Sequence, residues 1–137
     1  MQIIHCLPVP EDRRVDYTAS MFGVDFSMRL EPVIFSMAER LSTDYDGGYW
    51  QFNALSNGGF YMAPNGDDAM FDVVCENGFV GKLSADALGI AACLYAYSHL
   101  SFFEGDRLAE TCAEQYHLLR EHALDHAEVA AILGAID

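Results

Sequence analysis

Positive charge is scarce in this chain: 7 lysines and arginines stand against 21 acids, a formal charge of −14. A protein that grips nucleic acid replaces phosphate counterions with Lys and Arg, so no direct nucleic-acid partner is expected. Long apolar runs are also missing. The longest, Ala87 to Tyr97, is about half of the roughly 20 residues that cross a bilayer, which predicts a buried core helix and no membrane partner. The amino end, MQIIHCLPVPEDRR, has no basic start followed by an apolar stretch, so a cytoplasmic location is expected. Cysteine is sparse and dispersed. Cys6, Cys75, Cys93 and Cys112 form no C-x-x-C pair, which argues against a zinc knuckle or dithiol motif and favours structural free thiols. Gly47-Gly48 and Gly58-Gly59 are followed by no G-K-[ST], and so read as turn glycines instead of phosphate cradles.

What is present is apolar material. At 137 residues and 52% hydrophobic, the chain has enough core-forming side chains to offset chain entropy, and one compact domain over residues 1–137 is expected. A short helix is predicted from Glu11 to Tyr17. A longer amphipathic one starts at Glu31-Pro32, with Leu30, Ile34, Met37, Ala38 and Leu41 at three-to-four spacing, and ends before Asp46-Gly47-Gly48. The middle third carries Asn57-Gly58, Asn65-Gly66 and Asn77-Gly78, each flanked by residues of strand character. Strands are predicted near Tyr49 to Leu55, Gly59 to Ala63, Met70 to Cys75 and Phe79 to Leu83. Trp50, Phe52 and Ala54 alternate with Tyr49, Gln51 and Asn53, so one sheet face should meet the core. Ser84 is the expected N-cap of a buried helix running from Ala87 to Phe103, with Asp86 in its first turn. A helix striped with Leu108, Cys112, Tyr116, Leu119 and Ala123 follows, and Glu128 to Ile136 closes the chain. The expected fold is therefore α+β, a four-stranded antiparallel meander packed against amino- and carboxyl-terminal helices.

Chemistry-bearing residues are few. His122 and His126 stand at i, i+4, a spacing two metal ligands can use, but a zinc protease needs Glu directly after the first His, and Ala123 fills that place. Near a helix carboxyl end they are expected to interact with exposed carbonyls. No catalytic constellation, cofactor-binding motif or metal site is expected. Outward tyrosines on a sheet supply rigid amphipathic contact area, and acids near them suit a basic partner. The candidate interaction surface is Asp44, Tyr45, Asp46, Tyr49, Tyr61, Asp67, Asp68, Asp86 and Asp137.

The stretch from Asp44 to Pro64, DYDGGYWQFNALSNGGFYMAP, with MRLEPVIFSMAERLS before it and KLSADALGIAACLYA and YHLLREHALDHAEVAAILGAID after it, resembles the ArdB/KlcA antirestriction proteins over nearly the whole chain. Asn53, where an aromatic is usual, and Thr18-Ala19, in place of an apolar-Pro pair, depart from the pattern. The resemblance implies alleviation of type I restriction, so that incoming mobile DNA survives the host restriction-modification complex, the implied partner, by protein interaction and not catalysis. Two alternatives stand beside it: an acidic DNA mimic competing for the enzyme's DNA channel, and a small metal-dependent hydrolase using the carboxyl-terminal histidines and acids.

Overall fold

In the computed structural model, residues 3–66, 69–103 and 105–137 are described. Strand β1 (Cys6–Pro8) leads through a 3₁₀ turn at Glu11–Arg13 into α1 (Arg14–Phe22). A π-helical turn, Phe26–Leu30, then runs directly into α2 (Glu31–Leu41). Pro32 accounts for that irregularity: it has no N–H to give the Met28 carbonyl, so the regular ladder cannot pass through this point. Two hairpins follow, β2 (Trp50–Leu55) with β3 (Phe60–Pro64), and β4 (Met70–Val74) with β5 (Val80–Ser84). Helices α3 (Ala85–Leu100), α4 (Arg107–Leu124) and α5 (Val129–Ile136) complete the chain.

The α+β class is as expected, but the single four-stranded meander is not. The strands divide into a three-stranded sheet, β1-β2-β3, and a separate pair, β4-β5. The reason lies at the free edge of β3, where the meander would have added its next strand: α3 occupies it. Tyr97 Oη donates to the Phe60 carbonyl at 2.6 Å and the Met62 amide donates to Cys93 Sγ at 3.5 Å. Gly89 brings the two backbones together, since a Cβ there would lie 2.5 Å from the Met62 carbonyl oxygen. A covered edge cannot pair, so β4 pairs with β5 alone.

β1 adds to the other side of β2, with Leu7 opposite Ala54. Three residues containing a proline carry no periodicity, which is why the sequence did not announce this strand. Alternation also fails in β3, whose five residues are all buried. One side meets an aromatic cluster in which Phe60 packs against Tyr17, Phe22, Phe26 and Phe52, mostly edge to face. The other side meets α3 and α4.

Helix α3 is buried nearly all round, and Ser84 caps it as expected, its Oγ accepting from the Ala87 amide at 3.2 Å. It ends at Leu100, three residues sooner than Phe103.

Candidate functional site

A cleft of about 290 Å³ opens between the three-stranded sheet and the first turn of α3, lined by Cys6, Gln51, Asn53, Tyr61, Ser84 and Asp86 among others. Its chemistry centres on Asp86. One carboxylate oxygen accepts from Tyr61 Oη at 2.6 Å, and the other sits 2.8 Å from His126 Nε2. The Glu128 amide donates to His126 Nδ1 at 2.9 Å, which assigns the ring proton to Nε2 and makes the His126–Asp86 contact a donation from the imidazole. Glu128 in turn takes both donors of Ser84, the amide at 2.9 Å and the hydroxyl. The cap of α3, the α4–α5 junction and β3 are thus tied together through two carboxylates, Asp86 and Glu128.

Electrostatics follow from these contacts. Burial pushes the Asp86 carboxyl upward, but the His126 and Tyr61 hydrogen bonds outweigh it and hold the group below its usual range. His126 is raised, chiefly by its bond to Asp86 against the effect of burial. His122, stacked on the Tyr61 ring at 5.7 Å, is lowered by burial against the pull of Asp86. Burial first, then the bond to Asp86, raises the Tyr61 phenol far above its ordinary value. Cys6, 3.6 Å from Tyr61 Oη, is likewise raised by burial, so its thiol is protonated at neutral pH and a poor nucleophile. Both nitrogens of His126 and both oxygens of Glu128 are engaged. The arrangement offers a half-exposed carboxylate in a polar cleft, suited to receiving a cationic or hydrogen-bond-donating group.

Of the predicted surface residues, the structure brings Tyr61 and Asp86 together, although Tyr61 faces inward and is 1% exposed, not an outward tyrosine. Asp44 and Tyr45 have local duties. Asp44 accepts from the Asp72 amide at 2.9 Å while Ser42 Oγ donates to the Asp72 carbonyl at 2.6 Å, so side chains occupy the outer edge of β4. Tyr45 Oη accepts from Trp50 Nε1 at 2.9 Å. Asp46 and Tyr49 are exposed, Asp137 lies 3.9 Å from Arg120, and Asp67 and Asp68 fall outside the described residues. The histidines correct a further expectation: His126 serves Asp86 in place of helix carbonyls, a tertiary pairing 40 residues apart that no local signal reveals. Among the described residues no group of three or more His, Cys, Asp and Glu side chains is placed to hold a metal ion, and no helix is long and apolar enough to cross a membrane.

Comparison with known proteins gives a consistent picture. Residues 43–137 match the family model described as "Antirestriction protein". The chain is 42% identical over 130 residues to Antirestriction protein KlcA of Escherichia coli, spanning 94% of this chain and 92% of that protein. It is 40% identical over 135 residues to the uncharacterized protein YafX of Escherichia coli strain K12, spanning 95% and 86%. A solved structure from work on the KlcA and ArdB proteins superposes with a TM-score of 0.89 at 40% identity, covering 99% of this chain and 96% of the other. Those proteins are described as having a novel fold and antirestriction activity against type I DNA restriction systems in vivo but not in vitro.

Proposed function

This chain belongs to the antirestriction protein family, and from that membership we propose that it alleviates type I restriction in the cytoplasm, protecting incoming mobile DNA by contact with protein and not by catalysis. The observation that carries the proposal is the end-to-end likeness, in sequence and fold, to proteins with that activity in cells. We read the chain as one domain. Its contact surface centres on the Asp86 cleft with Tyr61 behind it, and the exposed Asp46 and Tyr49, with Asp67 and Asp68, stay candidate contact residues without a place in that cleft. Asp44, Tyr45 and Asp137 complete the candidate set, and each, like Asp86, also has a partner within the chain.

Activity in cells but not in purified systems, as described for the KlcA and ArdB proteins, favours an indirect route through another cellular component. A DNA mimic that fills the enzyme's channel acts equally well in a purified reaction. It also needs carboxylates arrayed at about phosphate spacing, roughly one per 1.7 Å of duplex axis, whereas Asp44, Asp86 and Glu128 here are spent on internal bonds. The hydrolase alternative needs a free base. His126 has none to offer while Asp86 and the Glu128 amide hold it, and His122→Ala with His126→Ala should therefore leave restriction alleviation in place wherever the double variant folds.

The test is phage plating on cells carrying a type I restriction system, with and without the protein, scoring modification of the survivors. Restored plating with modification retained supports the proposal. Plating that stays low with soluble, folded protein present would sink it, and loss of modification together with restriction would favour blockade of the shared DNA-binding core.

A further inference from the structure

On the opposite side of the three-stranded sheet from Asp86, a groove of about 550 Å³ runs between α1 and the π-helical turn. Phe26 and Phe52 lie at its base, Val15, Ala19 and Val24 along its walls, and Arg14 and Glu31 contribute charge. Arg14 is the unusual member. Acids outnumber bases three to one in this chain, yet among the described residues Arg14 has no ion pair, and its Nε is buried without a hydrogen-bond partner. Its guanidinium is held by aromatic faces instead, 4.6 Å from the centroid of Phe52 and 5.0 Å from that of Tyr49. A cation fixed in this way has already lost much of its side-chain freedom, and its planar fork matches a carboxylate. Glu31 lines the same groove, is raised by burial, and forms no ion pair with Arg14.

We propose that this groove docks an extended peptide segment of a partner protein, seating an acidic side chain on Arg14 and apolar neighbours over Phe52 and Phe26. Charge complementarity selects this occupant. The groove presents a guanidinium without an ion pair among the described residues beside apolar walls, and Glu31 accepts from a backbone amide of the same segment. The proposal rests on the reading that the protein works by protein contact, and it supplies a specificity that the acidic surface elsewhere does not: an acidic ligand is drawn to a chain of charge −14 only where a preformed cation awaits it.

The test is titration of the ¹⁵N-labelled full chain with three end-blocked pentapeptides, Ala-Leu-Glu-Leu-Ala and its counterparts with Gln or Lys at the centre. Shifts confined to residues 14–31 and 49–52 with the Glu peptide, at about tenfold lower concentration than with the Gln peptide, are expected. Arg14→Gln should erase that preference, and Ala19→Trp, which fills the groove from an exposed position and leaves Arg14 in place, should erase binding. Equal response to the Glu and Gln peptides, or none to any, would overturn the proposal. Restriction alleviation in cells separates it from the functional reading. Should both folded variants alleviate restriction like the parent, the groove is not the docking site though the family activity stands; should the parent itself fail to alleviate, the family activity falls, and the peptide titration still decides what the groove recognises.

Discussion

The two hairpins are built on the same turn and put to opposite uses. Each closes on Asn-Gly with glycine at positive φ, +94° at Gly58 and +93° at Gly78, a conformation that needs no Cβ. In each the asparagine works twice. Asn57 Oδ1 accepts from the Gly59 amide while its Nδ2 donates to the Leu118 carbonyl of α4 at 2.9 Å; Asn77 Oδ1 accepts from the Phe79 amide while its Nδ2 donates to the Gly134 carbonyl of α5 at 3.0 Å. Both turns are therefore riveted to a helix, at 61 and 57 residues' separation. Beyond the turns they diverge. β2–β3 is enclosed on both faces and along β3's free edge, whereas β4–β5 leaves Met70, Val74 and Val80 exposed on its outer face. Identical local chemistry fixes a hairpin; only its neighbours decide whether it becomes core or surface.

That contrast breaks most severely at Gly89. A Cβ there would sit 2.4 Å from Ala63 Cβ and 2.5 Å from the Ala63 Cα and the Met62 carbonyl, and backbone cannot step aside as a flexible side chain can. Gly89→Val should cost at least about 3 kcal/mol, the top of the range for overpacking a core. Urea denaturation measures it, and a loss below about 1 kcal/mol would mean that α3 does not seal the strand edge as described.

The rivets sharpen the comparison. Asn57→Asp and Asn77→Asp keep the acceptor that shapes the turn and delete the donor that reaches the helix. Leu118 offers its carbonyl in a partly buried setting, and the bond from Asn77 is exposed to solvent. Losing the donor, and turning a carboxylate oxygen toward a carbonyl in its place, costs more where water cannot intervene. About 2 kcal/mol is expected at Asn57 and under about 1 kcal/mol at Asn77. Equal losses by thermal or chemical unfolding would show that burial is not what separates the two.

The same distinction explains what could be read from sequence. Asn57-Gly58 and Asn77-Gly78 announced hairpins because turn chemistry is local, and Ser84 announced a helix start for the same reason. The family signature from Asp44 to Pro64 pointed to restriction alleviation. Which sheet each hairpin would join was not legible, because the answer lies in Gly89 meeting Met62 and Ala63 across 27 and 26 positions. Tyr61 read as outward since alternation assumes one wet face, and β3 has none. Of the site, Asp86 stood only as one acid among several suited to a basic partner, and its bond to His126 and the solitary Arg14 over Phe52 are products of folding that no spacing betrays.

The Asp86 network, on the enclosed side, should reveal itself through pH. His126 is raised by Asp86, so the folded state binds the second ring proton, on Nδ1, more tightly than the unfolded one even though taking it up gives away the bond from the Glu128 amide. Its contribution is complete below the unfolded value near 6.5 and disappears as pH climbs through the higher folded value. Asp86, held low, stays ionised throughout that window. His126→Gln supplies a neutral donor at every pH. The stability margin of the parent over this variant should be greatest near pH 5.5, on the order of 1 kcal/mol, and shrink by pH 8.5. A margin that grows with pH would reverse the assignment, and one that is flat would mean the contact is that of a neutral imidazole alone.

The smallest effect belongs to the open hairpin. Val74 and Val80 are cross-strand partners on its outer face, 65% and 71% exposed. Replacing both with threonine keeps the branched shape that suits a strand and places a hydroxyl where water already reaches. Nothing buried is lost, so stability should change by no more than about 0.5 kcal/mol. The same pair of substitutions on β2–β3 is not available, because no two opposite positions there are both exposed. A larger loss, especially one that grows on dilution, would mean this face is covered in solution by a second copy, and the open hairpin would then be as enclosed as its twin.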